Sequence, residues 1–427
     1  MKKRLLLLFS LLLYFGAFAE TLDECQRLAE QNYPLVKRYD LIRQTTDYTV
    51  ANLNRGWLPQ IAFSAQATLQ SDVVTLPDAL NNVMAMQGLE VKGLKKDQYK
   101  VALDVQQNIW DGGAISAQKE IARRESEVQN AQTDVDLYAV RDRVANLYFG
   151  ILLLQEKGKL VDANIALIAS NVKRLETLLD GGVAMKSDVA SLKAQLLEAQ
   201  QQRTDIDCFI LALRQMLNLF CGKDIASVEM PDLAESLLNN TQLENRPEWK
   251  LLDKQSALLR ARENALDAMI LPHVSLFAQG FYGYPGLNMY DDMFSHNWSL
   301  NGIIGLRMNW NISGFYTRSN DKKKLSLQRG QIENAREVFT FNTGLQQTQE
   351  RQYFERCQKL LSQDDEVIEL RKSVREAAES KLENGIIDIN GLLLEMTREQ
   401  QALIKRVEHE IEMQQHLAEM RYFSGEK

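Results

Sequence analysis

The chain of 427 residues has little that punctuates a backbone: only 7 prolines, and 4 cysteines and 4 histidines with which to build a covalent or metal framework. Scarce proline beside abundant Gln, Glu, Lys, Leu and Ala leaves room for long uninterrupted helices. Past the N-terminus no stretch offers about 18 consecutive apolar residues, so no transmembrane helix is expected and any membrane insertion must use β-strands. A Walker-type phosphate loop, a Gly-x-Ser-x-Gly elbow and a Cys-x-x-Cys pair are all missing, which removes the usual nucleotide, hydrolase and redox signatures. His409 and His416 stand seven apart on one predicted helix, about two turns, too far to share an ion; they are expected to be solvated, and neither a metal nor a cofactor is expected. Cys208 and Cys221 fall on one predicted helix roughly 20 Å apart, beyond disulfide reach, and read as small packing residues.

What is present begins at residue 2. Lys2, Lys3 and Arg4 precede a short apolar run over residues 5–15, and Ala17 and Ala19 supply the small residues of a cleavage site before Glu20. Residues 1–19 therefore read as a cleaved secretory signal, too short to span a bilayer. Cys25 lies too far behind the cut to accept a lipid anchor. Loss of three basic residues takes the formal charge from −7 to −10. An exported chain that acidic is a poor partner for nucleic acid, which is bound through basic patches.

A unit of about 200 residues occurs twice. Trp57-Leu58-Pro59 is echoed by Ile270-Leu271-Pro272, Asn108-Ile109-Trp110-Asp111-Gly112-Gly113 by Asn309-Trp310-Asn311-Ile312-Ser313-Gly314, and Leu179-Asp180-Gly181-Gly182-Val183 by Leu382-Glu383-Asn384-Gly385-Ile386. The order is the same in both halves. The first repeat is placed at 20–222, with strands about 58–71 and 98–110 and hairpin helices about 114–220. A connector follows at 223–245, expected to lie outside the helices. The second repeat is placed at 246–427, with strands about 271–284 and 296–312 and hairpin helices about 314–424.

Strict alternation marks the strands: Ile61, Phe63, Ala65, Ala67 and Leu69 in one, Tyr99, Val101, Leu103 and Val105 in the next, then Val274, Leu276 and Ala278, then Trp298, Leu300, Ile304, Leu306, Met308 and Trp310. These stretches reach the roughly 9–11 residues a tilted membrane strand needs, and tryptophans sit at their ends. Four strands cannot close a barrel, and an open edge has no place in lipid, so several chains must share one; three chains supply twelve strands. The helices carry 3/4 apolar spacing: Val161, Ile165, Ile168, Val172, Leu175 and Leu179 rise to Gly181-Gly182, and Val189, Leu192, Leu196, Ala199, Ile206, Ile210, Leu213 and Leu217 return. In the second half Val367, Leu370, Val374 and Ala377 rise; Leu392, Met396, Leu403, Val407 and Ile411 return. Each turn is expected to need a glycine with positive φ.

Taken together, these residues resemble the TolC family of outer-membrane efflux proteins over nearly the whole mature chain. Thr21-Leu22-Asp23-Glu24 leading to Asn32-Tyr33-Pro34 is similar to the family's opening segment, and Asn245-Arg246-Pro247-Glu248 to its second-half opening. The resemblance implies a mainly α fold with membrane β: long antiparallel coiled-coil hairpins forming an α-barrel, plus four strands per chain in a trimeric twelve-stranded β-barrel. It implies a homotrimer in the Gram-negative outer membrane, in contact with its lipid and extending into the periplasm. Such a trimer meets a periplasmic adaptor and inner-membrane pump, and conducts cargo of a tripartite efflux or type I secretion system without being an enzyme.

At the tips, Gly182-Val183-Ala184-Met185-Lys186-Ser187-Asp188-Val189 fits the family motif, whereas Gly391 stands where the second tip usually has an acid. Leu382, Ile387, Gly391 and Leu394 replace the polar gate set of the best-studied relatives. Gly182, Ser187, Asp188, Gly385, Asp388 and Gly391 are thus the candidates for adaptor docking and gating. Asp188, alone or with Asp388, would form an acidic ring in a symmetric assembly; the competing reading makes both acids helix caps. The competing function is a periplasmic coiled-coil adaptor or scaffold, which should carry a single hairpin and no pore.

Overall fold

The computed structural model describes residues 20–182, 184–231, 233 and 242–425. The signal segment, Val183 of the first tip motif and part of the connector lie outside them. The described chain forms two compact units, each drawn from both halves of the sequence. One holds the residues up to Asp40, Asn130–Asp253 and those from Asn334 on; the other holds Leu41–Gln129 and Lys254–Glu333.

The elements run α1 Leu22–Asn32, α2 Lys37–Asn54, β1 Gln60–Leu69, α3 Asp78–Met86, β2 Asp97–Trp110, α4 Ala114–Asp180, α5 Lys186–Cys221, α6 Pro247–Met269, β3 His273–Tyr284, α7 Met289–Ser295, β4 Ser299–Asn309, α8 Gly314–Glu383 and α9 Ile389–Ser424. Helices of 67 and 70 residues, α4 and α8, match the proline-free stretches of the sequence. Their starts are local chemistry. Asp111 accepts from the Gly113 and Ile115 amides at 2.9 and 2.6 Å, satisfying donors that the first turn of α4 leaves free. Gly112 has φ +66 there, and a Cβ would press on Leu271. The described helices include none long and apolar enough to cross a membrane.

In the helical unit two apolar clusters form. One gathers Leu22, Cys25 and Ala29 of α1, Val144, Tyr148, Phe149 and Leu152 of α4, Leu217 and Cys221 of α5, and Ile225 and Val228. This corrects one expectation, about Cys208. The start of the connector packs on these helices through buried Ile225 and Val228, and the Tyr148 hydroxyl, buried among apolar groups, finds its partners in the backbone of Glu229 and Glu20. Cys208 does not pack; it is exposed, on the opposite side of α5 from the buried Cys221.

The second-half opening motif is an anchor in the same unit. Arg246 is 4% exposed and donates to Glu248 at 2.5 Å and to the Tyr422 carbonyl at 2.9 Å. Its guanidinium lies over the Tyr138 and Tyr422 rings, 4.9 and 4.8 Å from their centroids. Burial works against that charge, but Glu248 outweighs it and holds the guanidinium above its ordinary pKa.

In the other unit the four strands form one antiparallel sheet in the order β1-β2-β3-β4, leaving β1 and β4 as edges. At one end, the segment between β1 and β2 folds back with α3 inside it. Val73, Leu76, Val91 and Leu94 pack on Tyr284 and Met293. His296 reaches the Gly93 carbonyl at 2.6 Å, and buried Asp292 accepts from the Gly286 amide at 2.7 Å.

Candidate functional site

The sheet has two chemically opposed faces. Across all four strands Ile61 pairs with Val105, Val105 with Ala278 and Ala278 with Ile304; Ala65, Val101, Tyr282 and Leu300 form a second such row. These rows face solvent: Ile61 is 69% exposed, Ile304 74% and Leu300 81%. A soluble protein does not leave a whole apolar sheet face open, whereas a lipid-facing one must be built so. Aromatics bracket the band. Trp298 stacks on Tyr99 and tilts onto Tyr282 at one end, while Trp57, Trp110 and Trp310 lie at the other.

The opposite face is a polar network. Lys100 donates to Gln279 at 2.8 Å, Gln279 donates to Asp104 at 2.5 Å, and Gln106 donates to Ser275 at 3.3 Å. Alternation of apolar-out and polar-in is the pattern of a strand set between lipid and a water-filled lumen.

In the helical unit, the two hairpin tips come together. Ile168, Val172, Leu175, Val189, Leu192 and Ala199 of the first hairpin share one cluster with Ala378, Ile389, Leu392 and Met396 of the second. An Arg174–Glu383 ion pair joins the hairpins on the outside. Gly182 and Gly385 both have positive φ, +76 and +67, as the turn requires. Their amides donate to the Leu179 and Leu382 carbonyls at 2.9 and 3.0 Å, closing the ends of α4 and α8.

Both tip acids serve as caps. The Met185 amide donates to Asp188 at 3.2 Å, and the Ser187 hydroxyl lies 3.4 Å from the same carboxylate. Asp388 caps α9 by accepting from the Gly391 amide at 3.0 Å. Gly391, where an acid was expected, lies close against Ile387, and a Cβ there would stand 3.3 Å from that side chain.

Two expectations about the second hairpin are corrected. Val367, Leu370 and Val374 are 44, 62 and 45% exposed, and Ala377 is exposed too, so this stripe does not face the returning helix. The contact with α9 is made by a different face, through buried Ala378 and the Arg375–Glu399 bridge of 2.5 Å. The exposed stripe extends back through Leu345, Phe341 and Val338, all on one side of α8 at helical spacing. A second exposed set, Leu197, Phe209, Met216 and Leu219, lies on α5 away from its buried residues. Neither histidine of α9 is solvated: His409 bonds Asp364 and His416 bonds Glu350, both at 2.6 Å, from the neighbouring helix α8. Burial holds His416 below its ordinary pKa. Burial, and then the adjacent Glu350, push Glu419 up to about 7.

Comparison with known proteins gives a consistent answer. Residues 27–208 match the family model described as outer membrane efflux protein. No curated protein matches the chain by sequence search. Among solved structures, the outer-membrane channel OprN is 15% identical, with a TM-score of 0.65 over 95% of this chain and 90% of that one. VceC, an outer membrane protein of Vibrio cholerae, is 16% identical, with a TM-score of 0.63 over 95% of this chain and 96% of that one. The MtrE outer membrane channel of Neisseria gonorrhoeae, solved in its open state, is 14% identical, with a TM-score of 0.61 over 95% and 89%. Residues 27–208 thus match the outer membrane efflux protein family by sequence, and nearly the whole chain shares the fold of these outer-membrane channels, as the resemblance to the TolC family implies.

Proposed function

We propose that this chain is the outer-membrane exit duct of a tripartite efflux or type I secretion system, working as a homotrimer and carrying out no reaction of its own. The observation that carries the reading is the open four-stranded sheet with an exposed apolar face and unpaired edges. In lipid those edges must be satisfied, and joining β4 of each chain to β1 of the next closes twelve strands. The polar network of Lys100, Gln279 and Asp104 would then line the lumen. A periplasmic adaptor with a single hairpin does not account for two hairpins and a sheet built from both halves.

The exposed helical stripes support the same assembly. A closed ring needs two different faces on each chain that complement one another, and the apolar sets on α8 and α5 provide them. Glutamate in place of Leu370 is expected to convert the trimer largely to monomer in detergent without unfolding the chain. A full complement of trimer would reject these stripes as the contact.

The duplicated unit, 20–222 and 246–427, would bring two hairpin turns per chain to the periplasmic tip. There Gly182, Ser187, Asp188, Gly385, Asp388 and Gly391 would meet an adaptor linked to an inner-membrane pump. Asparagine caps a helix about as well as aspartate, so Asp188→Asn separates charge from capping. With an acidic ring in the pore, single-channel recordings of that variant will show reduced cation preference and weaker block by multivalent cations. Unchanged selectivity and block leave capping as the whole role of Asp188.

A further inference from the structure

Helices α8 and α9 carry a cluster that the conduit has no use for. The potential ligand atoms of Cys357, Glu412 and His416 lie within 4.8 Å of one another, as do those of Glu350, His416 and Glu419. On α9 the three residues follow at i, i+4 and i+7, so one face presents them all; Glu350 and Cys357 are two turns apart on α8. Donors from facing helices at such spacing are how helical bundles build metal centres.

The interior placement matters. Cys357 is fully buried and Glu350 is 7% exposed, and both face the same imidazole. The Cys357 thiol donates to Glu412 at 3.9 Å, Arg356 donates to the same carboxylate at 2.9 Å, and Gln415 donates to Glu419 at 3.2 Å. Tyr353 covers His416, with the ring centroids 5.2 Å apart.

From this arrangement we propose that Cys357, Glu412 and His416 bind one divalent transition-metal ion, Zn2+ fitting best, while Glu350 orients the imidazole. Thiolate, imidazole and carboxylate together suit zinc, which takes such donors at about 2.0–2.3 Å with four ligands. Glu350 holds His416 Nδ1, which leaves Nε2 for the metal; a ligating histidine is commonly held in this way by a carboxylate. The ion would clasp the two helices of the second hairpin. Sequence spacing alone could not show this, because the partners of His416 come from the facing helix and not from His409. The proposal is independent of the channel reading.

The test uses the full chain in detergent, stripped with a chelator and titrated with Co2+ as a spectroscopic stand-in. Expected is saturation at about one equivalent per chain, with the near-ultraviolet thiolate-to-cobalt band and the visible absorption of a tetrahedral ion, both removed by Zn2+. Cys357→Ser should abolish the near-ultraviolet band, and Glu350→Gln should weaken binding by about 10- to 100-fold. Absence of the thiolate band from the unmodified protein overturns the proposal, whether or not the variants fold. So does undiminished binding in folded Cys357→Ser and His416→Gln variants.

Discussion

Arginine in place of Ile304 is expected to keep the chain out of the assembled channel. Ile304 sits in the middle of β4, is 74% exposed, and ends the apolar row that begins at Ile61. A charge at that depth of a barrel's lipid face costs about 2–4 kcal/mol per chain. In a trimer the cost recurs in each chain, roughly 6–12 kcal/mol for the assembly. The readout is the share of outer-membrane protein that runs as the oligomer in unheated gels. Its control is one residue away. Ile303 pairs with Gln279 on the polar face, because a single-residue step along a strand reverses the face. Ile303→Arg should therefore assemble nearly as well as the parent, and equal tolerance of both substitutions would mean that neither face meets lipid.

The second large effect is expected from Arg246→Ala. The guanidinium is almost wholly buried between Tyr138 and Tyr422, and it both balances Glu248 and satisfies the Tyr422 carbonyl. Its removal leaves the Glu248 carboxylate without its partner, at a cost of about 3–5 kcal/mol, and leaves the Tyr422 carbonyl with the Tyr138 hydroxyl, at 2.7 Å, as its remaining side-chain donor. Lysine should rescue poorly, since it can neither stack in the plane of the rings nor reach both acceptors in a fork. Denaturant unfolding of the helical unit checks this; a midpoint unchanged in Arg246→Ala would show that the rings alone hold the junction.

Much of this was legible because it is local. The Gly182 and Gly385 turns and the alternation of the strands depend on residues a few positions apart, and the structure places them as read. What failed depends on partners far along the chain. An apolar stripe announces that Val367, Leu370 and Val374 will be covered, but not whether by α9 or by another chain. The same holds for His416, whose neighbours Glu350 and Cys357 lie more than fifty residues away, and for Arg246, enclosed by Tyr138 and Tyr422. Buried polar groups leave no periodic signature, so their pairing becomes visible only in the fold. At the tips, chemistry was readable and use was not: Asp188 and Asp388 cap their helices whether or not they also ring a pore.

Closure of the sheet by joining β4 to β1 of the next chain requires that three copies share one barrel. The most direct measurement is the mass of the assembly extracted from the outer membrane, by native mass spectrometry in detergent. Expected is a complex of three chains that conducts ions when placed in a planar bilayer. A monomer or dimer from that membrane, or a protein recovered only from the soluble periplasm, would contradict it.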